Sequence, residues 1–444
     1  MERSLTDGPV LRTLLRLTWP LMLVNVFQAL SNMADMLIVG RLIGPEAMSA
    51  VATGGQLTFF LTTLSIGIAA GGQILISQQK GAGKQGDLGK TAVALVFLSL
   101  LAGVVIALAG FVCSEPLLRL LKTPEGAYDQ ALGYTRISSA GMIFLFGLNG
   151  IVGIYRGLGD TKKPLIFFSA AAVVHVGLGL LFVGVFKMTA AGTALGTVIS
   201  QAVSLLIAWL FFRRTARALD MRFSFHRFWT RSWEMIKIGL PFGAQMAVLN
   251  VSNLFIIAQI NAFGVDASAA LGAGVRITNL LSFPMLAVGN GATTMIGQSM
   301  GAKNTGRVKE IVYRAVFTML ALAALSVALC QWIPRQMIGF FQKSQEVRDI
   351  GALYLRVVSW CFLGHALRSG YNAAALGVGF SLYSLFSSSV EAVAGRIALT
   401  WILGGLMGMN GIFLAQAISP YISAGVSAIY YYSGRWRRVR LPSS

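Results

Sequence analysis

ISQQKGAGKQGDLGK, residues 76–90, returns as IGQSMGAKNTGRVKE at 296–310, with Gln78, Gly81, Ala82 and Gly86 matched to Gln298, Gly301, Ala302 and Gly306. The offset is about 220 residues in a chain of 444, so one architectural unit is written twice. The correspondence continues outward from this pair. LRLTWP (15–20) answers IKIGLP (236–241), and IGPEAMSA (43–50) answers FGVDASAA (263–270). GLG (157–159) aligns with GVG (377–379), and AAGTALGTVISQ (190–201) with MNGIFLAQAISP (409–420) after a one-residue slip.

What is repeated is membrane. Hydrophobic residues make up 55% of the chain, charged residues only 12%, and mean hydropathy is +0.70, a composition foreign to soluble globular domains. Apolar runs near the roughly 20 residues that cross about 30 Å of hydrocarbon as helix fall at 15–40, 54–78, 91–112, 133–155, 164–186 and 190–212. The second half repeats them at 238–262, 278–299, 311–333, 350–377, 381–406 and 410–432. Unbroken runs of this kind exclude a β-barrel. The sequence predicts an all-α integral membrane protein of twelve transmembrane helices in two pseudo-symmetric six-helix lobes. The expected boundaries are 1–212 for the first lobe, 213–237 for a basic linker, and 238–444 for the second lobe with its basic tail. Six spans per half make the repeat parallel, with its axis along the membrane normal. Transporters built this way hold substrate between the halves and rock one against the other.

The chain carries 36 Lys and Arg against 16 Asp and Glu. The basic residues concentrate in alternate loops, notably Arg213, Arg214, Arg217, Arg222, Arg227, Arg231 and Lys237. With both termini cytoplasmic this is the positive-inside pattern. A nucleic-acid surface needs one contiguous basic face with interleaved aromatics, so no nucleic-acid partner is expected. The segment FSFHRFW (223–229) in the linker reads equally as an amphipathic surface helix or as a simple connector. MERSLTDGPV at the start lacks a cleavage site, so the first helix is expected to remain. Cys113, Cys330 and Cys361 lack metal spacing and read as packing residues. KGAGKQGD (80–87) and GLGDTKKP (157–164) are turns rather than phosphate loops, because no strand precedes them. No enzyme motif appears, and no metal or cofactor is expected.

One residue breaks the apolar first span. Asp35 lies in SNMADMLIVG (31–40), and an ionisable side chain at membrane depth costs several kcal/mol in most estimates, which marks it as functional by default. Asn25, Gln28, Asn32 and Asp35 are spaced 3, 4 and 3 apart and form one polar stripe on the helix. Facing lipid would leave the amides unsatisfied, so the stripe faces the protein interior or a central cavity. Burial disfavours the charged form of a carboxylate, which suits a reversible proton carrier. The matching position of the second half is apolar, Phe255 or Ile256, so this function belongs to one half. Pro20 near the helix start and Gly40 near its end allow a bend between them.

The second half has its own intramembrane charges: Glu391 with Arg396 on span eleven, and Arg356 and Arg368 on span ten. A pair five residues apart is poorly aligned on an α-helix, so Glu391 is expected to reach Arg368 across helices, either as a structural ion pair or in a substrate role. His175 on span five and His365 on span ten titrate near neutrality when unperturbed; hydrogen-bonded packing is their other reading.

Taken in order, Pro20 with Pro241, MADMLIVGRLIG, QKGAGKQGD with QSMGAKNTG, YRGLGDTKKP and AAGTALGTVISQ resemble the multidrug and toxic compound extrusion (MATE) family over nearly the whole chain. The resemblance implies export of amphiphilic, often cationic small molecules, driven by a proton or sodium gradient, from a site between two lobes. Asp35 matches the first-helix acid of the DinF-like branch, where that acid is linked to proton coupling. Some relatives carry Asn and Asp four residues apart on helix five, where this chain has His175 and Gly179. Asp35 is therefore expected to act with neutral partners such as Asn32, Asn149 or His175. The seventh-helix acid of sodium-driven members has no match between Lys237 and Ala262, which favours protons over sodium. A monomer in a bacterial inner membrane is expected. The competing readings are a flippase for lipid-linked saccharides and a non-transporting scaffold or receptor.

Overall fold

The computed structural model describes residues 5–121, 123–218, 225–342 and 344–438, and no strand occurs among them. The first half supplies α1 (Val10–Leu42), α2 (Pro45–Gly81), α3 (Gln85–Leu120), α4 (Glu125–Ala140), α5 (Met142–Leu158), α6 (Lys162–Gly179) and α7 (Ala190–Ala218). The second supplies α8 (Phe225–Asn261), α9 (Val265–Gly301), α10 (Thr305–Trp332), α11 (Pro334–Gly339), α12 (Gln345–Val358), α13 (Cys361–Gly377), α14 (Ser381–Val390), α15 (Leu399–Met407) and α16 (Met409–Tyr432). Eleven stretches among the described residues are long and apolar enough to cross a membrane, and twelve when α4 and α5, bent by 42°, count as one span.

The irregularities repeat along with the helices. The fourth span bends at Gly141, where an added Cβ would collide with the Val198 side chain of α7. The tenth breaks between α12 and α13 beside Ser359. There Gln331 donates to the Arg356 carbonyl (2.8 Å) and to Ser359 Oγ (3.1 Å), so the freed backbone group keeps a partner. The fifth and eleventh spans each contain π-helix, Leu180–Val185 after α6 and Glu391–Ala398 between α14 and α15. π-Winding bonds residue i to i+5 and is frequent at functional sites. The turn after each second span also recurs, with Gly83 (φ +70°) in the left-handed position of the first copy and Lys303 (φ +57°) in that of the second. Only glycine takes that conformation without steric cost.

Two compact units emerge, Leu23–Gly243 and Met1–Met22 with Ala244–Ser444. The lobe boundaries expected at 212 and 238 follow the chain, whereas these units divide inside α1 and α8, two residues after Pro20 and Pro241. The reason is an exchange of helix starts. In the Leu23–Gly243 unit, Met235 and Ile238 of α8 are buried with Ile76, Leu95, Ile154 and Tyr155. GIAAG (67–71) of α2 lies on GLPFG (239–243) of α8, and a Cβ on Gly67 would sit 2.6 Å from the Gly239 carbonyl oxygen. Small residues four apart let membrane helices approach to backbone contact. In the other unit, Leu14 and Leu17 of α1 are buried with Val288, Ala292 and Met295 of α9, and a Cβ on Gly291 would lie 3.4 Å from Thr18 Oγ1.

Of the basic stretch 213–237, residues 219–224 lie outside the described residues, including the first two of FSFHRFW and Arg222. From Phe225 onward this stretch is the first part of α8. Phe228 is buried in the Leu23–Gly243 unit while Trp229 stays exposed. Arg227 (2.6 Å) and Arg231 (3.6 Å) both reach Asp87 at the start of α3, which pairs this end of α8 with α3.

Candidate functional site

Asp35 lies in the part of α1 that belongs to the Leu23–Gly243 unit, and its side chain retains 25% exposure. It is therefore sheltered yet reachable. Its Oδ1 is 3.3 Å from His175 Nε2 on α6. The same nitrogen is 3.1 Å from Thr197 Oγ1 on α7. Thr197 already donates its proton to the Thr193 carbonyl at 3.0 Å, and a hydroxyl has only one proton to give. His175 Nε2 must then carry the hydrogen, shared between the carboxylate and the hydroxyl; this tautomer is assigned from the network. Three helices meet through this chain of groups. Tyr134 of α4 is within electrostatic reach of Asp35 and is admitted by Gly54, where a Cβ would fall 2.7 Å from the tyrosine ring.

Of the residues expected at the site, the structure joins Asp35 and His175 directly. Asn25 is half-buried and Gln28 and Asn32 are exposed, so the stripe presents its amides on an open face. Asn149 instead donates to Ser65 Oγ at 3.0 Å. Gly179 stands where the Leu180–Val185 π-segment begins, and a Cβ there would meet Ile38 of α1 at 3.2 Å, so this packing leaves little room for a second acid. α1 runs as one helix through Pro20 to Leu42, with Thr18 donating to the Leu14 carbonyl (2.8 Å) just before the proline, and Gly40 is exposed. Tyr134 and Thr197 gave no signal in the sequence, since a lone tyrosine or threonine is ordinary in a membrane helix.

A second cluster lies in the other unit. Glu391 is fully buried. Its Oε1 accepts from Arg396 Nη2 at 2.9 Å, and its Oε2 lies 2.6 Å from Ser423 Oγ and 3.5 Å from Arg368 Nε. The sequence favoured Arg368 alone because residues five apart diverge on an α-helix. The π-segment starting at Glu391 removes that objection, and Arg396 becomes the closer partner. His365 is within electrostatic reach of all three charges, whereas Arg356 is exposed near the end of α12. Among the described residues no group of His, Cys, Asp or Glu is placed to hold a metal ion.

The profile of the MatE family matches residues 20–181 and 241–402, so each match opens on one of the paired prolines. The probable multidrug resistance protein YpnP of Bacillus subtilis is 30% identical over 438 residues, 98% of each chain. The probable multidrug resistance protein NorM of Thermotoga maritima is 22% identical, covering 96% of this chain and 93% of that one. A crystal structure of a MATE protein in complex with MaL6 superposes with a TM-score of 0.91 over 98% of both chains at 22% identity. With the profile matching both halves and a relative at this identity over its full length, the chain belongs to the MatE family, the multidrug and toxic compound extrusion transporters.

Proposed function

We propose that this transporter exports amphiphilic, often cationic small molecules in exchange for protons, with Asp35 carrying the proton. The observation behind this reading is the link from Asp35 to His175 and Thr197, which ties α1 to α6 and α7 through a single shared hydrogen. Ionised, Asp35 holds that hydrogen and attracts a cation to the open stripe of Asn25, Gln28 and Asn32. Protonated, it loses the charge, its hold on His175 weakens, and α1 is released from α6. A proton and a cationic substrate then exclude one another, which is the linkage an antiporter needs. The two units would expose the site alternately to the two sides of a bacterial inner membrane, with the termini in the cytoplasm and the chain acting as a monomer.

Protons are favoured over sodium because a hard cation takes several oxygen ligands, and α8 supplies no acid between Lys237 and Ala262. A scaffold would have no use for an acid so placed. The test is ethidium movement in proteoliposomes under an imposed proton gradient compared with an imposed sodium gradient. Movement driven by the proton gradient alone is expected. Movement driven by sodium alone overturns the coupling, and movement under neither overturns transport of this class.

A further inference from the structure

The cluster around Glu391 is not a closed ion pair. Glu391 is the only acid in the interior of the second-half spans, since Asp266, Glu310, Glu346 and Asp349 all stand in the opening turns of their helices. It faces two guanidiniums, which leaves one positive charge uncompensated among the described residues. A bare charge at this depth is expensive and marks a functional site. The carboxylate is itself satisfied, by Arg396 and Ser423, so the excess lies with the donors. Arg368 Nε stands 3.5 Å from Glu391 Oε2 but makes no hydrogen bond among the described residues, and its Nη1 reaches Ser388 Oγ at the long distance of 3.4 Å. Arg396 turns its Nη1 to Asn253, an exposed amide on α8. The arginine side chains keep 13% and 12% exposure, against none for Glu391. The acid is sealed inside, and each arginine side chain keeps a small accessible part.

We infer that Arg368 and Arg396 form an anion site in the Ala244–Ser444 part of the chain, which takes the phosphate or carboxylate head of an amphiphilic molecule. Guanidinium forks match such oxyanions in pairs of parallel hydrogen bonds, and partial desolvation strengthens them. Glu391 is the positioning residue. The π-winding that starts at it sets Arg396 five residues on beside its carboxylate, and Asn253 offers a further amide at the rim. The anion comes either from an exported molecule or from a lipid headgroup. The inference is independent of the proton reading at Asp35.

The full chain, purified in phosphatidylcholine nanodiscs, is titrated calorimetrically with octyl phosphate and with octyltrimethylammonium as the charge-reversed control. Octyl phosphate is expected to bind, and Arg396→Gln, which leaves Glu391 a one-to-one pair with Arg368, should weaken it about tenfold or more, the scale of one charge-assisted hydrogen bond. Octyltrimethylammonium should be unaffected, and Arg396→Lys, which keeps the charge, should lose less. Equal octyl phosphate affinity in the parent and Arg396→Gln, or an equal loss for both amphiphiles, overturns the inference. One arm needs no variant: inorganic pyrophosphate must displace octyl phosphate from the parent, and failure to do so also overturns it. Repeating the titration in phosphatidylglycerol nanodiscs identifies the source. Loss of octyl phosphate binding there assigns the site to a lipid headgroup, and undiminished binding assigns it to an exported anion.

Discussion

A carboxylate within a membrane span needs donors, and among the described residues Asp35 is given one imidazole nitrogen, shared with a threonine hydroxyl. This thin support makes its protonation consequential. Taking up a proton removes both the charge that draws a cation and the reason for His175 to stay, so affinity for ethidium should fall as pH falls through the titration of Asp35. Asp35→Asn, which keeps the volume and a hydrogen-bonding group, should flatten that dependence when affinity is measured by fluorescence polarisation in nanodiscs. A slope that survives the substitution transfers the titration to His175. Glu391 has the opposite character, fully buried and held on both oxygens. Glu391→Gln strips the counter-charge from two arginines, and breaking a buried pair costs about 3–5 kcal/mol. Its folded yield and thermal midpoint should drop, and a well-folded variant with lost coupling would place Glu391 in the transport cycle instead.

At the scale of elements, the contact of α2 with the first part of α8 depends on absent side chains. A Cβ on Gly71 would run into the Met235 carbonyl oxygen, whereas Gly55 on the same helix has nothing within reach. Gly71→Leu should therefore destabilise by the roughly 1–3 kcal/mol typical of overpacking, while Gly55→Leu should leave the melting temperature nearly unchanged. Equal effects would show that α2 does not use Gly71 as a contact. The helices themselves were legible in the sequence because each apolar run has the length of a bilayer and the runs come twice. The bend at Gly141 was not, because it depends on Val198, a residue 57 positions further along the chain. The π-segments were equally hidden, and with them the nearness of Arg396 to Glu391. Asp35 announced itself as an acid in an apolar run, and His175 was named among its candidate partners. Thr197 and Tyr134 are common residue types whose placement near Asp35 and His175 comes only from which helices meet.

For the whole molecule, the division into units has a mechanical meaning. The chain passes from one compact unit to the other only twice, between residues 22 and 23 and between 243 and 244. Both crossings lie within helices, just after Pro20 and Pro241, where each proline lacks the N–H for an intrahelical bond. The proposed transport cycle places its bending at these two points. Pro20→Ala restores the missing donor and should slow ethidium exchange severalfold while leaving equilibrium binding near the parent value; unchanged exchange would place the pivot elsewhere. The exchange itself is proposed to run on Asp35. Proteoliposomes loaded with pyranine report proton movement when ethidium is driven across the membrane, and the parent and Asp35→Asn can be compared at equal incorporation. The parent should move protons against ethidium, and Asp35→Asn, neutral like the protonated acid, should bind ethidium more weakly and move no protons. Proton movement of equal size in the variant would contradict the assignment of Asp35 as the proton carrier.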